Sequence, residues 1–258
     1  MLRIIRCRCK PNYYHIGWPR VLVARALSKQ FGSLTVIDRV DFRLADAEAV
    51  GIVGPNGAGK TTLLNLLSGA MQPSAGQISY RETDIKAQDA AARCRLGIGR
   101  SHQVPRPFIG MTVFENVLVA AQQGGQAQGA DAYQRGVEAL QACGMVEHAN
   151  RRAETLGLLD RKRLELARAL ATKPDILLLD EIGGGLTDGE AEVLVRIIQR
   201  LRQGGIAIVW IEHIVHILVQ VVDRLICMDA GRIIADGSPS AVLENQAVMS
   251  AYLGGGVV

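Results

Sequence analysis

The sequence predicts an α/β fold in which a glycine-rich turn joins a buried strand to a helix. Residues 49–53 are a short apolar run, Gly54–Thr61 follows directly, and a leucine-rich stretch comes next. A second apolar run, Ile176–Leu179, is followed by two carboxylates, Asp180 and Glu181. Strands without polar side chains are typical of parallel sheets that are covered on both faces. These observations predict a mixed or parallel sheet at the core of the chain.

The totals suit a folded protein with no membrane span. The chain has 258 residues, of which 48% are hydrophobic, and this length suits one large α/β domain or two small ones. No apolar run reaches the roughly 18 residues that would suggest a transmembrane helix. The five cysteines are odd in number and irregularly spaced, which favours reduced thiols. A metal site at Cys7 and Cys9 is disfavoured because no second Cys/His pair lies nearby.

The positive charge is concentrated at the start of the chain. Residues 1–30 carry seven basic and no acidic side chains, which leaves 22 basic and 25 acidic residues in the remainder. The body of the chain is therefore not expected to bind nucleic acid. We expect residues 1–20 to be a flexible basic tail. The alternative is that its basic and aromatic residues rest on anionic lipid.

The elements follow one another as a single domain over residues 21–254. Alternating apolar residues predict an antiparallel β portion within residues 21–50. Residues 104–172 are predicted to be a largely helical subdomain, with Thr112 and Glu115 forming a capping box. The remaining expectations are strands at 176–179, 206–211, 225–229 and 232–235, helices at 61–68, 112–122, 133–143, 161–171 and 190–203, a loop at 122–130, and a helix start at Ser238–Pro239.

The segment Gly54–Thr61 carries the strongest chemical signal, because it matches G-x-x-x-x-G-K-[ST]. Its glycines let consecutive backbone N–H groups point inward at a phosphate, and the helix N-terminus that follows favours the same anion. Lys60 would supply a charge to the outer phosphates, and Thr61 a hydroxyl to Mg²⁺. A chance match is the alternative, but the strand before it and the helix after it disfavour that alternative.

Polar residues further along the chain complete a candidate hydrolytic site. Asp180 would help to hold Mg²⁺, and Glu181 could polarise the attacking water as a general base. By themselves, His213 is as readily a satisfied histidine at a strand end, and Gln103 a polar loop residue. A metal pair formed by His213 and His216 is rejected because no suitable third ligand is apparent.

In this order the motifs resemble those of the nucleotide-binding subunit of an ABC transporter, from about Val21 to Gly254. The resemblance implies the P-loop NTPase ABC-ATPase fold, with a RecA-like core, an antiparallel β portion and an α-helical subdomain. It also implies ATP and Mg²⁺, with Phe31 stacking on adenine and His213 contacting the γ-phosphate. The implied nucleotide-binding residues are Phe31, Gly54, Pro55, Asn56, Gly57, Ala58, Gly59, Lys60, Thr61 and Thr62. The implied catalytic residues are Glu181, His213 and Gln103, and the implied Mg²⁺ ligands are Thr61, Gln103 and Asp180.

The signature motif departs from the family pattern. The family has L-S-G-G-Q, a loop that caps the nucleotide of a partner subunit, where this chain has Leu156, Gly157, Leu158, Leu159 and Asp160. Gly157 lacks the serine hydroxyl, and the two leucines crowd a loop that usually needs glycine. Residues Gly183–Thr187 stand where the family has its D-loop, and Thr187 replaces the aspartate of that loop. We therefore expect an asymmetric pair of sites, in which this chain's own phosphate loop works best with a partner's signature.

The segments Pro107–Val117 and Ala251–Gly254 resemble the branched-chain amino acid importer group. That resemblance implies ATP-driven uptake of such solutes, membrane permease subunits, an external solute-binding protein, and a peripheral position on the cytoplasmic face of the inner membrane. It favours a second, related ATPase subunit over a pair of identical chains. One alternative is an importer for urea or another amide. Another is a soluble ABC ATPase of translation or repair, a class that usually carries two tandem cassettes.

Overall fold

The computed structural model describes residues 20–254, which form two β-sheets and the helices packed on them. The strands are β1 Arg20–Phe31, β2 Leu34–Ala45, β3 Ala49–Val53, β4 Ala75–Tyr80, β5 Thr83–Asp84, β6 Ile98–Arg100, β7 Ile176–Asp180, β8 Ala207–Ile211, β9 Arg224–Asp229 and β10 Arg232–Gly237. The helices are α1 Lys60–Ser68, α2 Ala90–Arg95, α3 Val113–Gln123, α4 Gly129–Ala142, α5 Leu158–Ala171, α6 Asp188–Gln203, α7 Val215–Leu218, α8 Pro239–Leu243 and α9 Gln246–Gly254. No helix within these residues has the length and apolar character needed to cross a bilayer. The predicted tail falls outside the described residues, apart from residue 20 at the start of β1.

The larger sheet has six strands in the order β10-β9-β3-β8-β7-β6. Strand β10 runs antiparallel to β9, whereas all the other neighbouring strands run parallel. The carboxyl ends of β3, β7 and β8 therefore meet at one edge, where ligands bind in open α/β sheets. This arrangement brings the glycine-rich turn after Val53 next to Asp180 and Glu181. The sheet is mixed, in agreement with the predicted fold class.

Burial on both faces explains why the central strands lack polar side chains. Every residue of β3, β7 and β8 is buried. In β7, Leu177 and Leu179 pack into a core with the helices of the chain's middle region, whereas Ile176 and Leu178 pack into a core that includes α1 and the smaller sheet. The sheet is thus a layer between two hydrophobic cores.

The smaller sheet is antiparallel, with strand order β2-β1-β4-β5. Residues 21–50 were predicted to supply this portion, but they supply only β1 and β2, since Ala49 and Val50 belong to the parallel β3. The other two strands, within 75–84, were not predicted. In β4 only Ile78 and Tyr80 are buried, so the alternation is too short to be recognised.

The helices of residues 104–172 are α3, α4 and α5, which pack on one another. The predicted capping box is present, because Thr112 Oγ1 accepts from Glu115 N at 3.1 Å and Glu115 accepts from Thr112 N at 2.7 Å. Helix α4 begins four residues before the predicted start, so the predicted loop at 122–130 is shorter. The hairpin of β9 and β10 and the start of α8 after Ser238 follow the prediction.

One expectation about the signature motif needs correction, and the segment at Thr187 is fixed in a similar way. Leu158, Leu159 and Asp160 were predicted to lie in a loop, but they form the first turn of α5. Gly157 is the extended N-cap residue, and its carbonyl accepts from Arg161 N at 3.0 Å. Likewise, Thr187 caps α6 by accepting from Glu190 N. Both segments are therefore fixed by helix termini.

Candidate nucleotide-binding and hydrolysis site

The glycine-rich loop lies between β3 and α1 and needs glycine for steric reasons. At Gly54, with φ 144°, a Cβ atom would lie 2.1 Å from the carbonyl oxygen of Met228. At Gly59, with φ 99°, a Cβ atom would lie 2.9 Å from the carbonyl oxygen of Val36. Neither contact is tolerable, and both φ values favour glycine. The sequence thus folds here into a tight turn that leads into the N-terminus of α1.

Lys60 lies across this turn with only 5% of its surface exposed. Its Nζ donates to the carbonyl oxygens of Gly54, at 2.7 Å, and Pro55, at 3.0 Å. Burial lowers the pKa of Lys60, and the Glu181 carboxylate opposes that effect. Among the described residues the hydrogen-bond acceptors of this ammonium are neutral carbonyls, and an anion such as a phosphate would supply a bonded counter-charge.

A cavity of about 290 Å³ opens beside the loop, near the lower end of the size range for small-molecule sites. Its lining residues are Val36, Asn56, Gly57, Ala58, Gly59, Lys60, Thr61, Thr62 and Glu181. Most of the predicted nucleotide-binding residues therefore line one cavity, and the predicted base lies in its wall.

Asp180 is buried at the end of β7 and accepts hydrogen bonds from the Thr61 hydroxyl and the Arg100 guanidinium. Its Oδ1 accepts from Thr61 Oγ1 at 3.4 Å, and its Oδ2 accepts from Arg100 Nη2 at 3.1 Å. Burial raises the pKa of Asp180, while the Arg100 guanidinium opposes that rise. A hydroxyl beside a carboxylate oxygen is the kind of oxygen pair that Mg²⁺ takes from proteins, so this corner fits the predicted ion.

Arg100 was missed in the sequence analysis. It also donates to Asn65 Oδ1 at 2.6 Å, so it connects the end of β6 to α1 and to Asp180. The only signal was a lone arginine three residues before Gln103, which by itself is unremarkable. The parallel pairing of β6 with β7 gives it this role.

The three residues predicted to be catalytic meet at one carboxylate. Gln103 Nε2 donates to Glu181 Oε2, and His213 Nε2 lies 2.8 Å from Glu181 Oε1. Gln103 was also predicted to bind the metal, a role for its amide oxygen, and the hydrogen bond to Glu181 uses the amide nitrogen. The backbone of Glu181 is in the left-handed region, with φ 46°, which is strained for this residue type.

The signature residues and Phe31 lie away from this cavity. Leu156 is buried, whereas Leu158 is 45% exposed. Asp160 accepts from Arg163 Nη1 at 3.1 Å, so it is occupied within its own helix. Phe31 ends β1 and is 48% exposed, with Lys29 Nζ 5.1 Å from its ring centroid. None of these residues lines the cavity beside the phosphate loop.

Two family models match the chain. One, described as ABC transporter, matches residues 37–183. The other, described as branched-chain amino acid ATP-binding cassette transporter, matches residues 232–258. The two matches lie in different parts of the sequence, so they support the resemblance separately.

Curated relatives extend the likeness along the chain. The high-affinity branched-chain amino acid transport ATP-binding protein LivG of Salmonella typhimurium is 36% identical over 249 residues, which cover 91% of this chain and 98% of LivG. The corresponding protein BraF of Pseudomonas aeruginosa is 32% identical with the same coverage. The lipopolysaccharide export system ATP-binding protein LptB of Escherichia coli is 31% identical over 233 residues, which cover 90% of this chain and 97% of LptB.

Solved structures agree with the fold. A nucleotide-free ATP-binding cassette from an ABC transporter matches with a TM-score of 0.83 and 27% identity, over 90% of this chain and 98% of its own. An ATP-binding cassette of an ABC transporter in its ADP conformation also matches, with a TM-score of 0.83 and 27% identity. This match covers 91% of this chain and 99% of that cassette. The predicted fold class is thereby confirmed. From the family match over residues 37–183 and the relatives that share nine-tenths of its length, the chain belongs to the ABC transporter family, as one of its ATP-binding cassette ATPases.

Proposed function

We propose that this chain is the ATP-hydrolysing subunit of an importer that takes up branched-chain amino acids or similar small solutes. The observation that carries the proposal is the convergence of Lys60, Asp180 and Glu181 at the edge of one sheet, beside the cavity. The names of LivG and BraF, and the family match over residues 232–258, favour this solute class. LptB, at 31% identity, serves an export system, so overall identity alone does not fix the direction of transport.

In the proposed mechanism, the loop amides and Lys60 bind the outer phosphates of ATP. Thr61 and Asp180 would hold Mg²⁺, which supplies positive charge to the phosphate oxygens as negative charge develops on them. Phe31, exposed at the end of β1, would stack on adenine. These groups position the nucleotide so that the terminal phosphate faces Glu181.

Glu181 is the proposed general base that takes a proton from the attacking water. Gln103 hydrogen-bonds to Oε2 of this carboxylate, and His213 hydrogen-bonds to Oε1. They therefore fix its orientation in a strained backbone position. When ATP is bound, His213 is the group we expect to turn to the γ-phosphate, because it is half exposed and precedes the short helix α7.

The chain is a cassette of a transporter and so works with membrane permease subunits. We place their docking surface, and hence a peripheral position on the cytoplasmic face of the inner membrane, at the exposed apolar residues Val104, Phe108, Ile109 and Met111. This segment follows Gln103 directly. Arg168 of α5 donates to the carbonyl of Arg106 at 2.7 Å and lies 4.8 Å from the Phe108 ring centroid. The docking segment is thus tied to α5, the helix whose first turn holds signature residues.

The partner ATPase subunit is proposed to be a related but different chain. In a cassette dimer the signature residues face the partner's nucleotide, and here Gly157 has no hydroxyl to offer. The N-terminus of α5 still presents its backbone amides to an anion. We therefore expect the site capped by this chain to be the weaker of the two. A pair of identical chains is the alternative, and the external solute-binding protein would act on the complex only through the permease.

Gly157→Ser should raise the turnover of assemblies in which this chain caps a nucleotide, by roughly tenfold if the new hydroxyl binds the γ-phosphate. The substitution should be tolerated, because Gly157 has φ −68° and a Cβ atom there would meet nothing within 4 Å. Serine is also a good N-cap, so stability should rise by a few tenths of a kcal/mol. Phosphate release and thermal unfolding measure the two effects.

Gly189→Ser is the matched control, since that exposed glycine of α6 also has open space around it. Its turnover should equal that of the wild type. Full transporter-level turnover by the unmodified chain alone, with no gain from Gly157→Ser, would contradict the asymmetry.

Co-purification and uptake test the proposed function. The tagged chain, isolated from its own cells in mild detergent, should bring down permease subunits, whose associated solute-binding protein identifies the solute. In proteoliposomes the complex should accumulate leucine, isoleucine or valine only with ATP. Uptake of urea or another amide instead would favour the sister importer, and recovery of ribosomes or DNA would favour a soluble ATPase of translation or repair. No nucleic-acid partner is proposed, because the body of the chain is slightly acidic.

A further inference from the structure

Two opposite charges lie buried close to the proposed base and have no part in the mechanism above. Glu212 immediately precedes His213 and is 2% exposed. Lys162, in α5, is 5% exposed. Burying an ionisable side chain costs several kcal/mol unless it is hydrogen-bonded or paired. The hydrogen bonds of Glu212 and Lys162 therefore show what stabilises their buried charges.

The Glu212 carboxylate accepts three N–H groups. Oε1 accepts from Gly183 N at 2.6 Å and from Trp210 Nε1 at 3.3 Å, and Oε2 accepts from His213 N at 3.3 Å. The fit is close, because a Cβ atom on Gly183 would lie 2.9 Å from Oε1. The Glu212 side chain thus joins the backbone at Gly183, just after Glu181, to the backbone of His213.

Lys162 acts on the other side of the same backbone. Its Nζ donates to the Glu181 carbonyl oxygen at 3.5 Å, while the Glu181 N–H donates to the carbonyl of Ile211 at 2.9 Å. Both peptide groups of this strained residue are therefore held. Burial lowers the pKa of Lys162, and Glu212 opposes that effect. Burial likewise raises the pKa of Glu212, and its N–H donors and Lys162 oppose that rise.

We propose that Glu212 and Lys162 are positioning residues for Glu181, and that they link α5, whose first turn holds signature residues, to the segment after Glu181 and to His213. The inference rests on the proposed role of Glu181 as the base. Lys162 lies one turn after the first residue of α5, so the segment that would face the partner's nucleotide is tied to this chain's own base. A shift of α5 would then move Glu181 directly.

The test uses Glu212→Gln, Lys162→Met and the double variant. Glutamine has one acceptor oxygen where the carboxylate meets three N–H donors, so its amide group opposes at least one of them. Glu212→Gln should lower kcat about tenfold through misplacement of Glu181, while the ATP dissociation constant stays within about twofold. Lys162→Met should lower kcat similarly. Lys162→Arg, which keeps the charge, should restore part of the loss.

The double variant tests the electrostatic link without any need for turnover. Lys162→Met removes the donor to the Glu181 carbonyl and the positive charge that favours the buried Glu212 carboxylate, and it should lower the melting temperature by about 3–8 °C. Adding Glu212→Gln should cause no further drop and should recover part of it. Emission from the buried Trp210, compared in a Trp18→Phe background, reports on the hydrogen bond that Trp210 Nε1 donates to Glu212. Glu192→Gln, exposed on α6, is the control and should change nothing.

Three outcomes would overturn the inference. One is a kcat within about twofold of the wild type for both single variants. Another is parallel loss of kcat, ATP affinity and melting temperature, which indicates a purely structural role. The third is additive melting-temperature losses in the double variant. Wild-type protein that binds ATP without hydrolysing it in the complete transporter would contradict the proposed function instead, and the melting-temperature cycle would still decide this inference.

Discussion

Glu181→Gln should reduce ATP turnover by at least about 100-fold, the scale of a lost general base, and leave ATP binding intact. Glutamine has nearly the same shape and can still meet Gln103 and His213, so the cavity should keep its form. The amide cannot take a proton from water. The loss should therefore appear in kcat, measured by phosphate release, whereas the ATP dissociation constant, measured by titration calorimetry, should change by less than about threefold.

Glu192→Gln makes the same chemical change at an exposed position of α6 and should match the wild type. If Glu181→Gln retained wild-type turnover, Glu181 would not be the base. If it lost ATP binding together with turnover, the carboxylate would have a binding role instead.

Arg93→Met, outside the site, should destabilise the fold by about 3 kcal/mol or more. The Arg93 side chain is fully buried in α2. Its Nη1 donates to the carbonyls of Leu66 and Leu67, at 2.7 and 2.9 Å, and Nη2 donates to that of Ile85 at 2.9 Å. The first two belong to the last turn of α1, where carbonyls lack helical partners. Without Arg93 the buried Leu67 carbonyl would lose its guanidinium donor, and the Leu66 carbonyl would keep only the 3.4 Å hydrogen bond from Gly69 N.

Thermal unfolding measures this effect, and a loss of about 3 kcal/mol corresponds to roughly 6–12 °C in a protein of this size. Arg93→Lys should fall between the wild type and Arg93→Met, because an ammonium can reach only some of the carbonyls. Arg95→Met, an exposed change in the same helix, should alter the melting temperature by no more than about 2 °C. A melting temperature for Arg93→Met close to the wild type would show that water replaces the guanidinium.

Elements governed by local interactions were predicted well. The glycine-rich turn, the capping box of Thr112 and Glu115, and the hairpin of β9 and β10 each depend on residues that are close in sequence. The wholly apolar runs of β3 and β7 indicated strands covered on both faces. Helix and strand ends were less accurate, as at α5, since Leu158 and Leu159 fit a helix or a loop until Gly157 is seen to cap it.

Contacts between distant segments could not be predicted. Arg100 meets Asp180, 80 residues away, only because β6 pairs with β7. Arg93 reaches the end of α1 across 27 residues. Nothing in the sequence distinguishes these arginines from exposed ones, because periodicity reports which face of an element is apolar and not which charge that face encloses.

The sequence by itself determined the kind of chemistry: a phosphate-binding loop, a strand that ends in Asp180 and Glu181, and a candidate histidine in the right order. Only the tertiary structure decided which side chains contact the Glu181 carboxylate and which charged side chains are buried close to it. Gln103, His213 and Glu181 come together because the parallel strands end at a common edge. Glu212, after β8, and Lys162, in α5, both reach the segment that begins at Glu181, and a buried charge is stable only where the whole fold supplies its partners.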